Sequence, residues 1–299
     1  MDDKVDNNRL AVAVILLTVL ALSFGDALIK NVSADLVLWQ IFVLRSLLAL
    51  PVLFLILRLR FSSVALIPSR LLWTSVRSAM LVVMWVAYYA ALPHIPFSNA
   101  AAAYYTLPIF ITLFSALFTG ERVSRAGWAA IAMGFIGVVL ILKPAADEFN
   151  RYALLPLVSA ILFALAMILT RTKCRDEHPL VLSAALNIAF IVFGLVATGV
   201  LGQTSNDHAS LAFLSPSWPT LSGDGILIIG VLTVAILIGS VGAAIAYQIG
   251  ASSLVATFDF AYVGFAVIWG ILFFSEIPDN TSIAGMVLIV AAGIIAVRR

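Results

Sequence analysis

The chain predicts an all-α, polytopic membrane protein of ten transmembrane helices arranged as two inverted five-helix repeats. Three observations predict it. Of 299 residues, 63% are hydrophobic and 11% charged, with a mean hydropathy of +1.12. That is too little polar surface for a globule dissolved in water. Apolar runs of about 20 residues, the length that crosses a hydrocarbon core, recur along the whole chain. Finally, "SALFTGERVSRAGWAAIAMGFIGVVLILKP" and "GILFFSEIPDNTSIAGMVLIVAAGIIAVRR" share their punctuation: an apolar run stops at Glu121 or Glu276, 155 residues apart, and a short polar stretch precedes a glycine-dotted apolar run.

Cutting at charges, prolines and Gly/Ser clusters places the spans at 10–30, 36–57, 71–92, 97–119, 124–142, 152–170, 180–201, 225–249, 253–274 and 281–297. The run from Leu10 is longer than a signal-peptide core and more spans follow, so it reads as a retained helix. Two cuts are forced by length. No Asp, Glu, Lys or Arg occurs from Ser78 to Gly120, which as one helix would extend about 65 Å, so "LPHIPFSN" must turn. The same logic divides 225–258 at "QIGASS". The polar stretch 202–225 reads as a loop.

Sliding the ninth span onto the fourth by 155 residues pairs Ser98 with Ser253, Ala101 with Ala256 and Glu121 with Glu276, while "AYY" at 87–89 resembles "AYQ" at 246–248. The halves are therefore expected to be 1–145 and 146–299. Because five is odd, the second half enters the membrane from the opposite side. Inverted repeats of this kind supply an inner and an outer gate around one midplane site in alternating-access carriers.

Charge placement sets the expected orientation. Lys4, Arg9, Arg58, Arg60, Arg70, Arg77, Arg122, Arg125, Arg171, Lys173, Arg175, Arg298 and Arg299 fall at one set of helix ends, and only Lys30, Lys143 and Arg151 at the other. Short loops rich in Lys and Arg resist translocation, so both termini are expected in the cytosol, in a bacterial plasma (inner) membrane. The formal charge of +2 implies no nucleic acid. The single cysteine, Cys174, sits in the basic "RTKCRDEH" loop, which places it on the cytosolic side as a labelling probe.

Charged and aromatic residues inside the spans are the candidates for function. Arg45 lies nine residues after Leu36 and twelve before Leu57, about 14 to 18 Å from either face. An arginine at that depth costs about 2.5–3.5 kcal/mol on insertion scales and must face protein. It reads as a carboxylate clamp or gate, or as a tie to backbone carbonyls. Asp26 lies about 24 Å above the cytosolic boundary, one turn below Lys30, and reads as an i,i+4 partner of that lysine or as a proton-coupling carboxylate. Asp259 occupies the position equivalent to Tyr104 in the other half. It is expected to pair with Arg77 at similar depth, or to meet a substrate amine or proton.

Ala101, Tyr104, Tyr105, Pro108, Thr112 and Ser115 repeat at steps of three and four along the fourth span. With Tyr88, Tyr89, Phe163 and Tyr262 they could line a cavity for planar ligands, whereas Trp39, Trp73 and Trp128 suit an interfacial belt. Gly127, Ala130, Gly134 and Gly137, echoed by Gly285, Ala292 and Ala296, read as close-packing stripes. His94, His178 and His208 lack metal-ligand spacing, and neither metal nor cofactor is expected.

These stretches resemble the drug/metabolite transporter superfamily in its ten-helix EamA-type branch. The likeness rests on "FGDALIK", "LWQIFVLRSLLAL" with Arg45, "SNAAAAYYTLPIFITLFSALFTGERV" and "FFSEIPDNTSIAGMVLI", and it covers nearly the whole chain. Such a resemblance implies a secondary transporter working without ATP or an ATPase subunit, with a small-molecule substrate, the bilayer and a candidate coupling proton as partners. Export of small metabolites, above all amino acids including aromatic ones, is the leading expectation. Uptake of a vitamin or nucleoside-like cofactor is the alternative. An intramembrane enzyme is the remote reading, since no Ser/His dyad, HExxH helix or metal-binding carboxylate cluster is present in the sequence.

Overall fold

Inside a bilayer every backbone N–H must find its acceptor within the chain, which leaves the helix as the economical solution for runs this apolar. The computed structural model describes residues 8–61, 64–119, 124–142, 150–174, 176–203, 209–249, 255 and 258–297. Glu121, Ser253 and Ala256, on which part of the repeat alignment rested, lie outside the described residues, as does His208. The same holds for the side chains of Pro108, Thr112, Ser115 and Ala296.

The described helices are α1 (Asn8–Asn31), α2 (Leu38–Arg60), α3 (Leu71–Ala91), α4 (Phe97–Tyr104), α5 (Leu107–Thr119), α6 (Arg125–Leu142), α7 (Leu155–Lys173), α8 (Pro179–Leu201), α9 (Gly223–Ile249), α10 (Ala261–Phe274) and α11 (Asn280–Val297). Short 3-10 turns cover Arg151–Leu154 and Ala209–Leu214. Among the described residues no strand occurs. Among the described residues, seven helices are long and apolar enough to cross a membrane; α10 and the apolar part of α11 are shorter.

The expected single helix over 97–119 is two helices. Tyr105 and Thr106 break it, and the cause is local: Pro108 has no N–H to offer the Tyr104 carbonyl four residues back. Thr106 N–H turns instead to Ala103 O at 3.3 Å, and its hydroxyl donates to the same carbonyl at 2.7 Å. The chain resumes with Ile109 N–H on Thr106 O at 2.9 Å.

Helix pairing is extensive. α1 packs against α9 and α10, α7 against α3 and the α4–α5 segment, and α2 against α8 and α9. α3 also meets α8, α4 meets α10, and α6 runs along α11. The α6–α11 contact is the closest approach expected from the glycine stripes. A Cβ at Gly137 would stand 2.8 Å from Gly285 O, and one at Gly285 would stand 2.7 Å from Gly137 O, so only hydrogen fits at either position. Facing outward are Leu48, Leu55, Val196 and Leu227, all exposed apolar side chains. Such a surface is costly in water and natural in lipid. Trp128 belongs to it, but Trp39 does not: it is buried, and its Nε1 donates to Leu214 O at 3.0 Å.

Candidate functional site

Asp26 is the centre of the interior. It lies on α1 at 5% exposure, where an unpaired carboxylate would be very costly. Tyr89 Oη of α3 donates to its Oδ1 at 2.8 Å, and Tyr262 Oη of α10 donates to its Oδ2. Tyr88 Oη stands 3.3 Å from Tyr262 Oη, extending the chain of hydroxyls. The expected Asp26–Lys30 pair does not form. Spacing of i,i+4 permits that contact but does not compel it, and two phenols from other helices reach the carboxylate instead.

Ring packing holds those phenols in place. Tyr89 stacks on Trp85 with centroids 5.0 Å apart, and Tyr262 on Tyr105 at 4.9 Å. Tyr104 meets Tyr88 at 5.2 Å, Tyr105 edge-on at 5.8 Å and Phe163 edge-on at 6.0 Å. The tyrosines predicted to share a site do converge, together with Phe163. Their rings are closely packed: Tyr88 and Tyr89 are each 1% exposed. Trp85 escaped the sequence reading, although its spacing of three and four from Tyr88 and Tyr89 puts it on their helix face.

Arg45 is 2% exposed on α2. Its guanidinium carbon lies 5.4 Å from the Phe42 ring centre and 5.0 Å from that of Phe190, a cation held against aromatic faces. It is within electrostatic reach of Asp26 and of the Tyr89 hydroxyl. Its Nε has no hydrogen-bond partner; neither has Ser46 Oγ beside it in sequence nor Asn187 Oδ1 on α8. Buried polar atoms are normally satisfied, so each of these orphans marks a place where a partner is wanted.

The predicted Arg77–Asp259 pair is not formed. Arg77 Nε donates to Thr170 Oγ1 of α7 at 2.6 Å, and its Nη1 is unpartnered. Asp259 is half-buried in the helical turn before α10. Two charges at equal depth on different spans need not share an azimuth, and here they do not. Cys174 is buried at 1% exposure, 3.9 Å from Thr74 Oγ1, so it does not serve as an exposed probe. His178 receives Leu180 N–H at 3.3 Å as the cap of α8, and His94 stacks on Tyr152 at 3.8 Å.

Two further links join α1 to the α10 region. Trp269 Nε1 donates to Ser23 Oγ at 3.0 Å, and Lys30 Nζ meets Glu276 Oε1 at 2.5 Å. Lys30 also donates to Ile95 O at 2.7 Å, while the second oxygen of Glu276 accepts the Phe97 N–H at 2.7 Å. The sequence reading noted Glu276 only as the mark of a repeat, because nothing in spacing connects positions 246 residues apart.

A lipid-facing shell of long apolar helices around a buried carboxylate, guanidinium and phenols defines a polytopic integral membrane protein with a polar interior. Sequence comparison gives the family. Residues 9–143 match the EamA-like transporter family, and the chain is 35% identical over 283 residues, 93% of each chain, to the pseudopaline exporter of Pseudomonas aeruginosa. The chain belongs to this family, within the drug/metabolite transporter superfamily, and is a transporter. It is also 32% identical over 231 residues, 77% of this chain and 70% of the relative, to a riboflavin transporter of Rhizobium johnstonii. With an S-adenosylmethionine uptake transporter of Rickettsia felis it shares 28% over 203 residues, 66% of this chain and 62% of the relative. A solved crystal structure, 19% identical and covering 97% of both chains, superposes with a TM-score of 0.64, which shows the shared fold.

Proposed function

We propose that the chain is a secondary carrier that exports small amino-acid-type metabolites, aromatic ones included, by alternating access. The observation that carries this reading is the two-pole interior. Asp26, ringed by phenols, offers a seat for an ammonium group, and Arg45, with an orphaned Nε, one for a carboxylate. Ring faces lie between and around them for an apolar or aromatic body.

The reading takes ten spans, with α4–α5 as one interrupted span, in repeats 1–145 and 146–299. Helix pairing supports it. Exchanging each span for the one five places along converts the α1–α9 contact into α7–α3, α1–α10 into α7 with α4–α5, and α2–α9 into α8–α3. It returns α2–α8, α4–α10 and α6–α11 to themselves. The limits of the family match, 9–143, follow the first repeat. Both termini are assigned to the cytosol of a bacterial inner membrane, with a proton as the candidate coupling ion. Export is favoured over uptake by the 35% identical exporter, which the chain matches over 93% of its length.

A second reading, uptake of a vitamin or nucleoside-like cofactor, draws on the stacked Trp85/Tyr89 and Tyr105/Tyr262 pairs, which suit a flat heterocycle, and on the riboflavin and S-adenosylmethionine transporters among the relatives. Counterflow in liposomes loaded with amino acids, riboflavin or nucleosides separates the two. Saturable exchange of phenylalanine, tyrosine or tryptophan, weakened in Tyr104→Ala and Tyr105→Ala at unchanged folded yield, is the expected result. Exchange of riboflavin alone would replace the first reading by the second, and no saturable exchange of any of them would sink both.

A further inference from the structure

The geometry points to Lys30 and Glu276 as the outer gate of the carrier, a latch that parts before the Asp26 cluster can open to the external side. The inference rests on the alternating-access reading and deepens it by naming the group that seals one mouth. Lys30 lies four residues beyond Asp26 on α1, about 6 Å along the axis, so the latch stands one turn outward of the buried carboxylate.

One ammonium and one carboxylate join four segments here. Lys30 Nζ binds Glu276 Oε1 at 2.5 Å and Ile95 O at 2.7 Å, and it lies 4.9 Å from the Phe274 ring centre. Glu276 Oε2 takes the Phe97 N–H at 2.7 Å, in the first turn of α4, where the helix dipole favours a negative charge. The aim of Glu276 is built into the backbone. Ser275 adopts a left-handed conformation at φ 55°, Glu276 N–H returns to Gly270 O at 3.0 Å, and the carboxylate lies back over Gly270.

A pair that merely staples the fold would join elements that stay together. This one joins α1 and α4 of the first half to the α10–α11 connection of the second, the halves that alternating access must part on one side at a time. The short helix α4 is suited to move with it. It is severed from α5 at Tyr105–Thr106, carries the latched Phe97 N–H at one end and carries Tyr104 at the other, next to Tyr105. Tyr105 stacks on the Tyr262 that binds Asp26, so releasing the outer end of α4 frees one wall of the site.

The pair is also placed to be rehydrated. Its side chains are 10% and 23% exposed. A cavity of about 360 Å³ lined by Lys30, Ser33, His94, Phe213 and Phe274 lies on one side, and one of about 280 Å³ lined by Asn99, Glu276, Asp279 and Ser282 on the other. Water entering through either cavity would offset the cost of separating the charges, which a sealed pair would suffer in full.

The test uses Ser98, next to Phe97 and 1% exposed. In a Cys174→Ser background, Ser98→Cys is labelled in intact cells with a membrane-impermeant maleimide, alone and combined with Glu276→Gln or Lys30→Met. Each gate variant should speed labelling about tenfold, the effect of losing one charged hydrogen bond, while Lys30→Arg stays near the parent rate. Native Cys174, buried elsewhere in the fold and assigned to the cytosolic side, is the control for general loosening, and it is labelled in inverted vesicles, where the reagent reaches that side. Its labelling in otherwise unmodified Glu276→Gln and Lys30→Met proteins should not change. Equal Ser98→Cys rates in all variants would overturn the gate, as would an equal acceleration at Cys174. The labelling rate does not measure transport of any chosen substrate, so a failed counterflow experiment strikes the functional reading and leaves this result standing.

Discussion

Replacing Tyr262 by Phe removes one hydroxyl and keeps the ring stacked 4.9 Å from Tyr105. Asp26 then retains a single phenolic donor, Tyr89 at 2.8 Å, and Tyr88 loses the oxygen 3.3 Å from its own. A hydrogen bond to a charged acceptor contributes about 1.5–3 kcal/mol and a neutral one about 0.5–1.5 kcal/mol. The longer Tyr88 contact belongs at the low end, so the total expected loss is about 2–3 kcal/mol, or about thirty- to more than a hundredfold in an equilibrium that depends on the closed cluster. If the hydroxyl acts through the carboxylate, Asp26→Asn already forfeits most of that term, and Asp26→Asn/Tyr262→Phe is little worse than Asp26→Asn alone. Denaturant unfolding in detergent and counterflow in liposomes on the four proteins of this cycle would measure the coupling. Losses that add within about 0.5 kcal/mol would refute the claim that Tyr262 works through Asp26.

Other perturbations test the packing around the site. Gly285→Val should destabilise by about 1–3 kcal/mol or more, read as a lowered melting temperature, because its Cβ would stand 2.7 Å from Gly137 O and 2.7 Å from Ile141 Cγ1. Arg77→Ala and Asp259→Ala should have additive effects on stability, since Arg77 is bound to Thr170; a double variant better than the sum would restore the ion pair expected from depth alone. Native Cys174 should resist maleimide in both intact cells and inverted vesicles and react after denaturation, because it is 1% exposed.

Much of the architecture was legible without coordinates, because span assignment depends on sums over about 20 residues and is insensitive to which neighbour each helix finds. The break in the fourth span was also written locally, in Pro108, although the reading treated that proline as part of a cavity wall. Burial was legible for the same reason. Arg45 was expected to face protein rather than lipid, and it is 2% exposed.

Azimuth and partner were not legible, since depth along one helix says nothing about which way another has turned. Asp26 and Tyr262 are 236 residues apart, and Lys30 and Glu276 are 246 apart, so no local periodicity connects them. The sequence by itself determined a membrane-embedded helical bundle with Asp26, Arg45 and a set of tyrosines inside it. Only the tertiary structure decided that Asp26 is held by phenols and Lys30 by Glu276. The physical reason is that a charge in an apolar interior must be satisfied by whatever donors or acceptors packing brings within about 3 Å, and packing is settled by the whole set of helix contacts at once.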